Sequence, residues 1–294
     1  MGLRANPTYR QRRFGAEVRK LRERAGLNVG ESAEVMGMHQ SHISNVETGR
    51  TNLSPERLRA LAGAASGVRE EYVEALVEMA QATGKGWWST YRHDLPTPHL
   101  DFAELEASAN RLDAYEPLFI PGLLQTREYA AVIHRDGYGQ GSPAWQDIAI
   151  DFRMRRQKVL TEEGAPQLHV ITHEAALRTS LGNREVMRDQ LLKLIEVSRC
   201  PNVTVQVLPF DGPVPYGTAF TLAEPTLPEL GTVMVPQVDG SLYLGDADSL
   251  AQYNETFARL ARLALPAVDA GMAPEAHVRK DSLGLIQRLL YPLL

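Results

Sequence analysis

GMHQSHISNVETGR, residues 37–50, decides how the first part of the chain is read. Ile43 and Val46 lie three apart, as the buried stripe of a short helix requires, and Gly49 supplies the left-handed residue that ends one. The other positions, His39, Gln40, Ser41, His42, Ser44 and Asn45, carry imidazoles, amides and hydroxyls. A surface helix kept only for solubility carries Glu, Lys and Arg, which are better helix formers. Side chains of the observed kind offer directed hydrogen bonds to something outside.

Helical signals flank this stretch on both sides. Phe14, Val18 and Leu21 form the stripe of a first helix ended by Gly26. Asn28 with Glu31 three residues on opens a second, which stops at Gly37. Residues 39–48 are the third. Ser54-Pro55 opens a fourth and residues 70–82 make a fifth. The pattern predicts an all-α five-helix domain over 13–83, preceded by a basic, poorly ordered arm over 1–12. A linker over 84–100 follows, rich in Gly and Pro; its adjacent Trp87 and Trp88 predict that it packs on a domain.

Beyond residue 100 the period changes. Helices are expected over 101–113, 127–135 and 142–160, with a short strand in 116–126 broken at Pro121-Gly122. QLHVIT (167–172) and NVTVQVLPF (202–210) read as strands on either side of a helix over 185–199, a βαβ unit with two parallel strands. Short strands over 218–224, 232–238 and 241–245 form a meander, and helices over 249–265 and 281–294 close the chain. The expected fold is α+β: a five-helix head, then a larger domain over 101–294 with a mixed sheet.

Composition sets the class. The 294 residues are 44% hydrophobic and 23% charged, which is ordinary for globular domains. No apolar run approaches the roughly 20 residues of a membrane span. The N-terminus lacks the apolar core of a signal peptide, and Asn6 stands where myristoylation favours Ser or Thr. The single cysteine, Cys200, excludes an internal disulfide. A cytoplasmic protein is expected. Its charge is uneven: residues 1–69 carry twelve Lys and Arg against six Asp and Glu, and residues 70–294 carry nineteen against thirty, so +6 and −11 combine to the net −5. A basic head on an acidic body suits nucleic-acid contact at the head.

Two short helices joined at Gly37, the second polar outside and apolar inside, make a helix-turn-helix. The second lies in the major groove, where base edges present paired donors and acceptors. Gln40 suits adenine, Ser41, Ser44 and Asn45 adapt to several edges, and His39 and His42 can donate to guanine or phosphate. RFGAEVRKLRERAGLNVGESAEVMGMHQSHISNVETGRTNLSPERLRALA resembles the XRE-type, phage-repressor-like helix-turn-helix domain, most specifically over Ser41 to Arg50. The resemblance implies that Gln40, Ser41 and Asn45 contact bases, that His39 opens the recognition helix, and that Thr48, Arg50 and Thr51 hold phosphates. It also implies that Glu47 is scaffold, paired with Arg22. Two departures stand out. Val29 replaces the usual phosphate-touching Gln, and Ser32 replaces a usual Leu, which predicts a looser small core.

The larger domain resembles the C-terminal domain of actinobacterial antitoxin-like regulators through YEPLFIPGLLQTREYA, RMRRQ, HEAALRTSLG, MRDQLLKLIEV and NVTVQVLPF. This implies transcriptional regulation and a small partner protein encoded nearby. MVPQV departs from the pattern, with Val235 and Gln237 where relatives often carry Tyr and Glu.

Catalysis finds little support in the residues. GxSxG is absent, GYGQG (137–141) lacks a following Lys-Ser/Thr, and Cys200 sits before Pro201 at a helix end. His169 and His173 share a strand face, with Glu174 adjacent, but spacing identifies no third metal ligand. RMRRQK (153–158) is read either as a second DNA contact or as internal pairing, the latter favoured. The expectation is therefore a non-enzymatic regulator with no cofactor and no metal. It binds double-stranded DNA as a homodimer, because one small head binds modestly. A ligand-sensing regulator and an enzyme with a DNA-targeting head are the alternatives.

Overall fold

The computed structural model describes residues 4–137, 141–212, 217–238, 240–272 and 280–294. The chain forms two compact units, Met1–Ser89 with Thr97–Asp101, and Thr90–Pro96 with Phe102–Leu294.

The first unit, the head, holds helices α1 (Tyr9–Arg24), α2 (Val29–Val35), α3 (Gln40–Glu47), α4 (Pro55–Ala64) and α5 (Glu70–Gln81). Its core is Phe14, Val18, Leu21, Ile43, Val46, Leu58, Leu61 and Leu76, all nearly inaccessible. Helix α1 starts earlier than its apolar stripe suggests, so the last residues of the expected arm are helical. The cause is local: Thr8 and Gln11 form a reciprocal capping box. Asn28 and Glu31 do the same for α2. Ser32 is fully buried, and its hydroxyl donates to the Val29 carbonyl at 2.9 Å, so the departure leaves no unsatisfied polar group in the small core. The expected linker is not a plain tether. Trp87–Tyr91 is a 3₁₀ turn, and helix α6 (Thr97–Ala107) begins inside the segment, with Pro98 in its first turn.

The second unit, the body, carries a six-stranded sheet in the order β3-β2-β1-β4-β5-β6. The strands are β1 (Arg111–Glu116), β2 (Gln167–His173), β3 (Val203–Leu208), β4 (Phe220–Glu224), β5 (Thr232–Gln237) and β6 (Gly240–Leu244). β1, β2 and β3 are parallel, and β1-β4-β5-β6 is antiparallel, so the sheet is mixed and the meander is present. β1 corrects the sequence reading, which placed a helix there and a strand just after it. Asp113 in mid-strand hides the pattern. Its carboxylate is buried but takes both Nε and Nη2 of Arg111, at 3.0 and 2.7 Å. Burial nevertheless pushes its pKa up, against the opposing Arg111 charge.

Among the described residues the body also carries the end of α6 and the helices α7 (Arg127–Val132), α8 (Pro143–Arg156), α9 (Glu174–Arg178), α10 (Arg184–Val197), α11 (Ala247–Leu263) and α12 (Ser282–Leu290). One cluster joins Leu112, Val170 and Val205 of the sheet to Tyr129, Leu191, Leu194 and Ile286 of α7, α10 and α12. The other face packs Tyr115, Ile171, Phe220 and Val233 on Phe257 and Leu260 of α11. Residues 138–140 of GYGQG and residues 213–216 lie outside the described residues.

Candidate nucleic-acid interface

The turn between α2 and α3 is set by Gly37, at φ 58°. Its N–H donates to the Glu34 carbonyl at 3.1 Å and that of Met38 to Ala33 at 2.9 Å, a Schellman end. Arg57 of α4 holds the same turn, donating to the carbonyls of Met36 and Gly37 at 3.1 and 3.2 Å. Helix α3 ends in the same way. Gly49, at φ 77°, donates to Val46 at 2.9 Å, and the Arg50 N–H donates to Asn45 at 2.8 Å.

Helix α3 sits directly on α1. A Cβ at Gly15 would lie 2.5 Å from the Val46 and Glu47 carbonyl oxygens, so only glycine permits this approach. Glu47 accepts from Arg22 Nε at 2.5 Å and from Nη2 at 3.3 Å, and Arg22 Nη1 donates to the Leu27 carbonyl at 3.1 Å. The bond to Glu47 raises the Arg22 pKa above its ordinary value. Both side chains are mostly covered, so this pair braces α1, the α1–α2 turn and the end of α3.

The rest of α3 faces out. His39, Gln40, Ser41, His42 and Ser44 are exposed, and their side chains make no hydrogen bond to any described residue. The His39 and His42 rings meet edge to face, centroids 5.9 Å apart. Asn45 is half-buried; its Nδ2 donates to the Ser41 carbonyl at 3.0 Å, which leaves the amide oxygen to accept. The Thr48 hydroxyl donates back to the Ser44 carbonyl at 2.7 Å. Arg50 is exposed with no described side-chain partner, and Thr51 is partly covered beside it. The structure thus brings all the expected α3 residues onto one helix and its exit loop.

A helix-turn-helix domain model matches residues 13–76. The head is a helix-turn-helix unit, and the protein is on that account a DNA-binding regulator. A second model, domain of unknown function DUF5753, matches residues 100–272, more than half of the chain. The chain belongs to the DUF5753 family. No curated protein and no solved structure is matched.

Three of the sequence words of the DUF5753 region, YEPLFIPGLLQTREYA, RMRRQ and MRDQLLKLIEV, meet at residues 117–126. Gln125 Nε2 donates to Ile120 O at 2.7 Å, and Arg153 Nη1 donates to Gln125 Oε1 at 2.8 Å. Gln157 Nε2 donates to the carbonyls of Gly122 and Gln125, at 3.0 and 2.8 Å. Gln190 donates to Leu124 O at 2.8 Å and accepts from Thr126 N at 2.7 Å. Arg156 grips Glu106 with two bonds, 2.8 and 2.6 Å, and lies 4.7 Å over the Phe102 ring. Arg153, Arg156 and Gln157 of RMRRQK are therefore turned inward, while Lys158 of the same run is exposed. His169 Nε2 meets Gln206 Oε1 at 2.6 Å, and Gln206 gives its Nε2 to the Ala261 and Leu265 carbonyls. The Gln206 oxygen is thus the acceptor and His169 Nε2 carries the proton. His173 accepts from Ala175 N at 3.1 Å as the cap of α9, and burial lowers its pKa. Glu174 takes Phe210 N at 2.9 Å and Arg178. His169 ties β2 to β3 through Gln206, and His173 and Glu174 hold the end of β2 and the start of α9.

Sequence reasoning missed two residues beside the interface, Arg4 and Asn52. Arg4 had been assigned to the arm, and Asn52 sits in a loop without a pattern.

Proposed function

We propose that this protein is a cytoplasmic, sequence-specific transcriptional regulator that binds a pseudo-palindromic operator as a homodimer. One α3 enters the major groove of each half-site. The observation that carries this reading is the outward row of α3: the side chains of His39, Gln40, Ser41, His42 and Ser44 are exposed and make no hydrogen bond to any described residue, while Ile43 and Val46 anchor the helix. Such groups match base edges. Gln40, Ser41 and Asn45 read bases with His39, His42 and Ser44 beside them, and Thr48, Arg50 and Thr51 hold backbone. An eight-residue recognition helix covers few base pairs, so two heads are needed for a tight site.

The body regulates and does not catalyse. In this reading it receives a small partner protein, the antitoxin-like arrangement that its sequence words resemble. Residues 101–294 carry seventeen Lys and Arg against twenty-five Asp and Glu, and that net −8 opposes wrapping of DNA. Selection of duplexes from a randomised pool by the full-length chain tests the reading. A motif with two-fold symmetry and a 2:1 complex by sedimentation are expected; a pool left without enrichment sinks it.

A further inference from the structure

Arg4 ties the segment before α1 to the loop that leaves α3. Its Nη1 donates to the Gly49 carbonyl at 3.2 Å and to Asn52 Oδ1 at 3.1 Å. Its backbone N–H donates to the Arg50 carbonyl at 2.9 Å. Asn52 passes the restraint on, giving its Nδ2 to the Ala80 carbonyl at 2.7 Å near the end of α5. Arg10 donates to the neighbouring Met79 carbonyl at 2.6 Å. Gly49 presses on α1 so closely that a Cβ there would lie 2.7 Å from Gln11 backbone atoms. Residues 49–52 are thus held by α1, by the N-terminal segment and, through Asn52, by α5. Between the two fixed ends stand Arg50 and Thr51.

We propose that Arg4 is a positioning residue of the DNA interface: it clamps the Gly49–Asn52 loop so that Arg50 and Thr51 meet phosphate in a preset geometry. The proposal rests on the DNA-binding reading above. The physical gain is preorganisation, since a loop already ordered loses little freedom on binding. Arg4 acts here through its hydrogen bonds and not as one more cation near the backbone. Both bonds leave one nitrogen, Nη1, whose two N–H groups are fixed in the guanidinium plane, an orientation that an ammonium on a flexible stem does not hold.

The test uses the full-length chain, a duplex it selects from a randomised pool, and a scrambled duplex of equal length. Arg4→Ala is expected to weaken binding to both by about tenfold, with their ratio preserved. Asn52→Ala, which removes no charge, weakens both in the same way, and Arg4→Lys fails to restore binding. In the free Arg4→Ala protein, the amides of Arg50 and Thr51 exchange hydrogen faster than in the parent, a readout independent of DNA. Restoration by Arg4→Lys together with a silent Asn52→Ala overturns the positioning role, because charge alone then suffices. A silent Arg4→Ala beside a weakened Arg50→Ala also overturns it and leaves the DNA reading standing. If the parent selects no duplex and Arg50→Ala is inert, the DNA reading itself falls, and the proposal with it.

Discussion

Helix α3 of the head and helix α8 of the body draw on similar polar side chains and use them in opposite ways. In α3 the amides and hydroxyls at Gln40, Ser41 and Ser44 point to water and bond to nothing described. In α8 and the turn after it, Arg153, Arg156 and Gln157 point inward and saturate carbonyls and carboxylates of the 117–126 loop and α6. A polar residue facing out without a partner is available for recognition, whereas one facing in is committed to the fold. Residue type alone does not separate the two roles; what it bonds to does.

The comparison is most severely tested at the buried pair. Arg156→Ala leaves the Glu106 carboxylate enclosed without its counter-ion, since only about 3% of that side chain is exposed. The expected loss of stability is about 3–5 kcal/mol. Thermal and urea unfolding of the body measure it, and a loss under about 1 kcal/mol would break the assignment of RMRRQK to scaffold.

Next in size are the two recognition residues. Gln40→Ala and Asn45→Ala are each expected to cost ~1–3 kcal/mol of discrimination between the selected duplex and a mismatched one, with little change in unfolding. Unchanged preference in both variants, read by footprinting, would mean that bases are read elsewhere. Arg50→Ala draws a finer line within the head. It is expected to weaken all duplexes alike and to lower the salt slope by about one. A change in base preference would move Arg50 from the phosphate group to the base-reading group.

The last test returns to the body and reads a pH dependence instead of a single contact. Burial pushes the Glu116 carboxyl up to about 7, with the Arg153 charge only partly opposing this. A carboxyl whose pKa is higher folded than unfolded binds its proton more tightly in the native state. Stability therefore falls as pH rises from the ordinary carboxylate range toward 7. Glu116→Gln removes this dependence. Melting temperatures between pH 4.5 and 8 should converge toward a flatter curve, with the variant more stable than the parent at the alkaline end. A parent curve already flat across that window would show that Glu116 ionises freely.

Much of the head was legible in short words: the cap at Asn28 with Glu31, the glycines at 37 and 49, and the Ile43–Val46 stripe each act within one helical turn. The start of α1 was not legible, because the apolar stripe begins only at Phe14 and the first turn is marked by nothing but the capping box of Thr8 with Gln11. The parallel pair β2 and β3 was legible too, because Val203, Val205 and Val207 alternate without interruption. β1 was not. Asp113 and Arg111 read as helix surface, and only pairing with β2 on one side and β4 on the other makes them strand. The spacing of His169, His173 and Glu174 offered no third metal ligand, and their contacts with Gln206, Ala175, Phe210 and Arg178, which the sequence does not show, make them fold-holding groups.

The sequence by itself determined the helix-turn-helix, because caps, turns and amphipathic stripes are properties of neighbouring residues and need no distant partner. Tertiary structure alone decided which polar groups are spent. Whether Gln125, Arg156 or Arg4 is satisfied depends on atoms tens of residues away, such as Arg153, Glu106 and Asn52. A hydrogen bond across that separation leaves no period in the sequence, since it is set by where the packed helices and strands bring the chain together.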